Sequence, residues 1–138
     1  MPERFAQMVR EIAQTELVVG YHEREGGGVF FEVGCGQGRS QVVMAQLVDE
    51  GQGNLMVHMM SEIGPVEPGL CEAMLVRNLG FCYGRVAIVD SGGDRRFAVV
   101  YTYPLAELDA LEFVRAFGEV AFMADGIERD VYAGADRV

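Results

Sequence analysis

The residues whose types and spacing could most directly do chemistry are Glu32 and the glycines Gly34, Gly36 and Gly38. They end a run of apolar and aromatic residues, 29–33, that is typical of a β-strand. Glycine lets the backbone approach a ligand closely where a strand turns into a helix. The segment therefore predicts a ligand loop if residues 39–50 are helical, and a tight β-hairpin if they form a strand.

The same segment resembles motif I of class I S-adenosylmethionine-dependent methyltransferases, in which an acidic residue precedes a GxGxG loop. The resemblance implies that the glycines cradle the cofactor and that Glu62, at the end of the next strand, binds the ribose hydroxyls. The match covers seven residues, and the 100 residues after Gly38 are too few for the seven-stranded sheet of such enzymes. We also find no substrate-side motif. A hairpin is therefore favoured over a cofactor site formed by Glu32, Gly34, Gly36, Gly38 and Glu62.

The two histidines of the chain, His22 and His58, lack the spacing of joint metal ligands. His22 stands in a charged stretch that is typical of a solvated loop. Residues 54–61 alternate as a strand in which Met56, His58 and Met60 share one face. Methionine suits adaptable binding surfaces, so these three residues are the predicted partner-binding residues.

The charge balance excludes several classes of function. The chain has 11 arginines, no lysine and 21 acidic residues, which gives a net charge of −10. A chain this negative repels phosphate backbones and anionic lipid surfaces, so we expect neither nucleic acid nor membrane as a partner. The absence of lysine removes a Schiff-base or P-loop lysine. No apolar secretory segment is apparent near Met1, which predicts a cytoplasmic protein.

The length of 138 residues predicts one domain, 1–138. Clustered glycines divide it into elements the length of single strands or short helices. We predict helices over residues 3–17 and 68–80 and from Asp109 onward, where Glu112 completes a capping box. Strands are predicted over residues 29–35, 54–61, 83–90 and 95–103, whereas residues 39–49 suit either a strand or a helix.

With residues 39–49 as a strand, the order α-β-β-β-α-β-β-α resembles the type III secretion chaperone-like fold, an α+β fold with an antiparallel sheet. More specifically, the chain resembles the YbjN-type family of small bacterial proteins. The resemblance spans most of the chain and is carried by short segments near element ends, namely Gly38-Arg39-Ser40-Gln41-Val42-Val43, Ser61, Gly64-Pro65, Asn78, Tyr83-Gly84-Arg85-Val86-Ala87-Ile88, Tyr103-Pro104-Leu105, Leu108-Asp109 and Ala124-Asp125-Gly126-Ile127-Glu128.

This resemblance implies a function as well as a fold. Secretion chaperones are small, acidic homodimers that hold an extended segment of a client protein against apolar patches, whereas YbjN-type proteins are regulators or uncharacterised. Arg39, Asn78 and Asp125 match family positions, and structural roles are expected for them: Arg39 pairing near a hairpin and Asn78 capping a helix end. No catalytic residue, cofactor or metal is predicted.

Three functional hypotheses follow. The first is a non-enzymatic, chaperone-like protein-binding or regulatory domain, homodimeric, that recognises a partner segment through apolar patches. The second is a small S-adenosylmethionine-binding enzyme that uses the loop from Glu32 to Gly38. The third is a structural subunit of a larger assembly.

Overall fold

A computed structural model describes residues 1–136 as three α-helices and six β-strands. Residues 137 and 138 of the expected domain lie outside the described residues. The elements in chain order are α1 (Glu3–Ala13), β1 (Val18–Glu23), β2 (Gly28–Gly36), β3 (Arg39–Asp49), β4 (Leu55–Pro65), α2 (Cys71–Arg77), β5 (Arg85–Ser91), β6 (Asp94–Pro104) and α3 (Ala110–Asp136).

The six strands form one antiparallel sheet in the spatial order β1-β2-β3-β4-β6-β5. The expected α+β class with an antiparallel sheet is confirmed. Short 3₁₀ turns at Pro68–Leu70 and Asn78–Gly80 flank α2, so a helical segment does occupy the predicted residues 68–80.

One strand of the sheet was not expected. The predicted order has three strands before the middle helix, whereas the described chain has four, because β1 follows a first helix that ends at Ala13 rather than residue 17. His22 lies in this strand and not in a loop, which corrects the sequence interpretation. The acidic and basic residues that follow Tyr21 obscure the strand signal, and β1 is an edge strand whose outer residues are exposed.

Strand β3 resolves the ambiguous segment 39–49. It pairs with β2 from Gly36 opposite Arg39 to Gly28 opposite Gln46. Gln37, with φ of 55°, lies in the connecting turn between two glycines that also have positive φ. Such turns favour glycine because a Cβ atom disfavours the left-handed region. The glycine cluster is therefore a hairpin turn.

The helices cover one face of the sheet, which we call the inner face. Phe31 of β2 meets Phe117 of α3 edge-on at 5.1 Å, and Phe5 of α1 stacks on Phe113 of α3 at 6.3 Å. Met74 of α2 packs beside β5. Alternate residues of the central strands are fully buried on this face: Val29, Phe31, Val33, Val43, Ala45, Val57 and Met59.

The start of α3 agrees with the sequence. The backbone N–H of Glu112 donates to Oδ1 of Asp109 at 2.7 Å, which is the predicted N-terminal cap. Arg4 of α1 reaches the segment before this cap and donates to the carbonyls of Leu105 and Leu108. Among the described helices, none combines the length and apolarity needed to cross a membrane.

Candidate functional site: the outer face of the sheet

The predicted partner-binding residues Met56, His58 and Met60 lie on the side of the sheet opposite the helices. We define the outer face as Phe30, Val42, Met44, Val48, Met56, His58 and Met60. Their backbone neighbours point to the inner face, as strand alternation requires, and most of them are buried there; Leu47 and Leu55 are partly buried and Asp49 is exposed. No helix of residues 1–136 covers this surface; Val42 is 53 % exposed, and the three β4 side chains are half-buried.

The register brings the outer-face residues together across three strands. Met44 of β3 lies opposite Met60 of β4, and Val48 lies opposite Met56. Phe30 of β2 in turn lies opposite Met44. Because residues opposite each other in antiparallel strands are close enough for their side chains to touch, these residues form an apolar strip, which the opposed polar pair Gln46 and His58 interrupts near its middle.

His58 is the polar centre of this strip. Its Nδ1 atom lies 3.0 Å from Oγ1 of Thr102 on β6. Burial lowers the pKa of His58, and the positive charge of Arg85 lowers it further. The imidazole is therefore neutral at neutral pH, which suits an apolar contact surface better than a charged ring would.

A groove lies at one end of the outer face, beside Met60, where β3 and β4 separate. Their register pairs end at Met44 opposite Met60. Beyond that pair, side chains connect the strands: Gln41 Nε2 donates to the carbonyl of Glu62, and Ser61 Oγ donates to that of Val42, both at 2.7 Å. The groove has a volume of about 550 Å³ and is bordered by both apolar and charged side chains.

The residues of the alternative cofactor site, Glu32, Gly34, Gly36, Gly38 and Glu62, do not adopt the geometry that a cofactor loop requires. Gly34 lies within the β2–β3 ladder, Gly36 and Gly38 border its turn, and a strand follows instead of a helix. Glu32 and Glu62 lie on β2 and β4, with β3 between them. A helix N-terminus, which would supply the backbone N–H groups for an anionic cofactor, is absent from residues 36–50.

Two of the three residues for which structural roles were expected, Arg39 and Asp125, pair with each other. Arg39 at the start of β3 lies beside Asp125 of α3, with Nε 3.3 Å from both carboxylate oxygens. Asn78 is the C-terminal cap position of α2, and its side chain exchanges two hydrogen bonds with the backbone of Val86 in β5. Both arrangements connect one element to another and do not point toward the outer face.

The sequence analysis missed Glu119, which holds the segment between α2 and β5. Its carboxylate accepts three backbone hydrogen bonds, from Cys82 at 2.8 Å, Tyr83 at 2.8 Å and Gly84 at 2.7 Å. An acidic residue on an amphipathic helix gives no local signal for contacts 35 or more residues away along the chain. Glu119 thus positions the start of β5 rather than any reacting group.

Burial and the nearby carboxylate of Asp125 raise the pKa of the Cys35 thiol, which keeps it in the less nucleophilic protonated form. Within residues 1–136 no three His, Cys, Asp or Glu side chains are placed to hold a metal ion. His22 lies 5.4 Å from the ring of Phe30, centroid to centroid, away from His58.

Comparison with known proteins adds no functional assignment. No protein-family model matches the chain, and no curated protein matches its sequence. The apolar strip and the adjoining groove are the structural features considered for function. An open apolar surface of this kind can bind another molecule without altering it.

Proposed function

We propose that the chain is a non-enzymatic, chaperone-like protein-binding or regulatory domain that holds an apolar segment of a partner protein on its outer face. The observation that carries this proposal is the uncovered strip of apolar side chains across β2, β3 and β4. The solvated face of an antiparallel sheet is ordinarily polar. Contiguous apolar residues on such a face are typical of interaction sites.

The composition of the strip supports a protein partner. Met44, Met56 and Met60 are unbranched and polarisable, so they adjust to side chains of different shape. The net charge of −10 keeps the chain soluble despite the exposed apolar surface. The resemblance to secretion chaperone-like and YbjN-type proteins agrees with this proposal, because the chaperones of that group bind extended client segments.

A second surface supports a homodimer. We define the α2 patch as Leu75, Val76, Leu79 and Ile88; Leu75 is 67 % exposed and Leu79 90 % exposed. A second copy of the chain suits this patch, because a two-fold axis would bury the same exposed apolar side chains of both copies against each other.

The outer-face proposal is tested by capture from an extract of the native host, followed by mass spectrometry. Met60→Glu places a charge in the strip and should abolish capture of the specific partner. Ile88→Glu makes the same kind of change on the α2 patch and should retain it. Binding is then measured with the purified partner and a peptide of its bound segment. Equal capture by wild type and Met60→Glu would refute the proposal.

The homodimer is tested by size exclusion with light scattering at micromolar concentration. The wild type should have twice the chain mass, and Leu75→Glu with Leu79→Glu should reduce it to one chain. Met60→Glu serves as the control and should stay dimeric. A monomeric wild type would refute the homodimer while leaving partner binding to the capture experiment.

A further inference from the structure

The groove beside Met60 carries two buried polar atoms that lack a protein partner. Gln41 is 6 % exposed, and although its Nε2 is bonded to the carbonyl of Glu62, its Oε1 accepts no hydrogen bond. Arg96 Nε is also buried and donates no hydrogen bond; the nearest carboxylate oxygen, on Glu62, lies 3.7 Å away. Because buried polar atoms are nearly always bonded, the free acceptor of Gln41 and the free donor of Arg96 distinguish these two groove-lining residues.

Charged side chains of both signs border the groove: Arg24 and Arg96, and Glu62 and Glu128. Arg96 lies within ion-pair distance of Glu62 and of Asp94. Arg24 lies over the ring of Phe30, 5.0 Å from its centroid, and forms no ion pair with a described side chain. A guanidinium group has the planar donor geometry that fits a carboxylate.

One part of the groove wall is apolar. Phe30, Val42, Met44 and Met60 line it, and all four belong to the outer face. The groove is therefore continuous with the surface proposed to bind a partner segment. Its volume of about 550 Å³ lies within the range of pockets that enclose a small ligand or one or two residues of a peptide.

We infer that this groove binds the C-terminal residue of the partner protein. The terminal carboxylate faces Arg24 and Arg96, the backbone N–H of the last residue donates to Gln41 Oε1, and its apolar side chain packs on Met44 and Met60. The preceding residues then follow the outer face. This inference rests on the proposed function, since it names which part of the partner enters the groove.

Two acidic residues border the same groove, Glu62 and Glu128. Glu62 Oε2 lies 3.7 Å from Arg96 Nε and competes with an incoming carboxylate for this guanidinium, as does Asp94, whose Oδ2 lies 3.6 Å from Nη1. This competition gives the inference a distinctive signature. Glu62→Gln should strengthen binding of a free carboxylate and leave an uncharged ligand unaffected.

The test uses a fluorescent octapeptide ending in Ala-Val-Leu with a free C-terminus, its C-terminally amidated counterpart and N-acetyl-leucine, with fluorescence anisotropy and competition as readouts. The free peptide should bind roughly tenfold more tightly than the amide, the magnitude of one charge-assisted hydrogen bond. Arg24→Gln and Arg96→Gln should each reduce this preference, whereas Arg95→Gln, on the neighbouring exposed residue, should not. Circular dichroism checks that each variant is folded.

The possible outcomes separate this inference from the proposed function. Equal binding of the free and amidated peptides overturns the carboxylate inference and leaves partner binding standing. Binding of N-acetyl-leucine as tight as that of the peptide makes the ligand a small organic acid, which overturns the assignment to a partner's C-terminus. Failure of both peptides to bind also overturns the inference, and the capture experiment with Met60→Glu then decides the proposed function independently.

Discussion

Arg39 and Asp125, 86 positions apart in the chain, form an ion pair that fixes the β2–β3 hairpin to α3. Nε of Arg39 lies 3.3 Å from both carboxylate oxygens of Asp125. The Asp125 side chain is 7 % exposed and that of Arg39 is 31 % exposed. Arg39 also donates to Oε1 of Gln37 in the hairpin turn at 3.2 Å. The pair thus fixes the first residue of β3 to α3, next to Ser40 and Gln41, which line the groove.

Removing Arg39 should be costly because it leaves a buried carboxylate without a cation. We expect Arg39→Met to lower the free energy of unfolding by roughly 3 kcal/mol, reduced somewhat by the solvent exposure of Arg39. Urea denaturation measures the change. Arg10→Met, which breaks the exposed ion pair between Arg10 and Glu3, is the control and should change stability by less than about 1 kcal/mol. Equal losses in the two variants would contradict a special role for Arg39.

A double variant separates the pair from its individual members. Asp125→Leu in the Arg39→Met background removes the buried carboxylate that lacks a cation. Part of the lost unfolding free energy should therefore be recovered. If Asp125→Leu instead lowers the free energy of unfolding by the same amount in the Arg39→Met background as in the wild type, the two residues act independently.

Glu119 provides a second long-range connection with a measurable consequence. Its carboxylate accepts the backbone N–H groups of Cys82, Tyr83 and Gly84. Glu119→Ala leaves three donors without this acceptor and should destabilise the fold by about 2 kcal/mol. Hydrogen exchange should show faster exchange at the amides of residues 82–84. Glu16→Ala, an exposed change, is the control; unchanged exchange at residues 82–84 would refute the assigned role.

The sequence predicts the local features of this fold well. The capping box at Asp109, the strand alternation around His58 and the glycine turn after Glu32 are each encoded within a few residues, so periodicity and turn chemistry reveal them. Strand β1 is not predicted, because a short edge strand buries few side chains and the charged residues at its end are typical of a loop.

Contacts between distant segments were beyond what a single sequence reveals. Arg39 and Asp125 were both singled out, but only the packing of α3 against the sheet shows that they pair. The apolar face at Met56, His58 and Met60 was predictable because it depends on alternation alone. The groove was not, since it depends on where β3 and β4 separate and on Arg24 folding over Phe30.

Gly64 illustrates a packing constraint that no turn requirement explains. A Cβ atom at this position would lie 2.7 Å from Cε2 of Tyr132, whose hydroxyl donates to the carbonyl of Pro65 at 2.6 Å. Gly64→Ala should therefore displace the ring and lower the unfolding free energy by about 1–3 kcal/mol. Gly69→Ala, where a Cβ meets nothing within 4 Å, is the control and should cost little. Equal stability of the two variants, measured by urea denaturation, would refute the proposed clash.

The lowered pKa of His58 predicts how stability changes with pH. Burial and Arg85 lower the pKa in the folded chain, whereas the unfolded chain keeps a value near 6.5. Between these two values the unfolded chain binds more protons, so stability falls as pH drops below about 6.5 and the loss levels off below the folded pKa. His58→Gln removes this contribution and should reduce the stability difference between about pH 7.5 and about pH 5.5. His22→Gln, the matched change at the exposed histidine of β1, should leave the difference as in the wild type. Unfolding free energies are measured by urea denaturation at both pH values. If His58→Gln keeps the wild-type difference between them, His58 is not the responsible group.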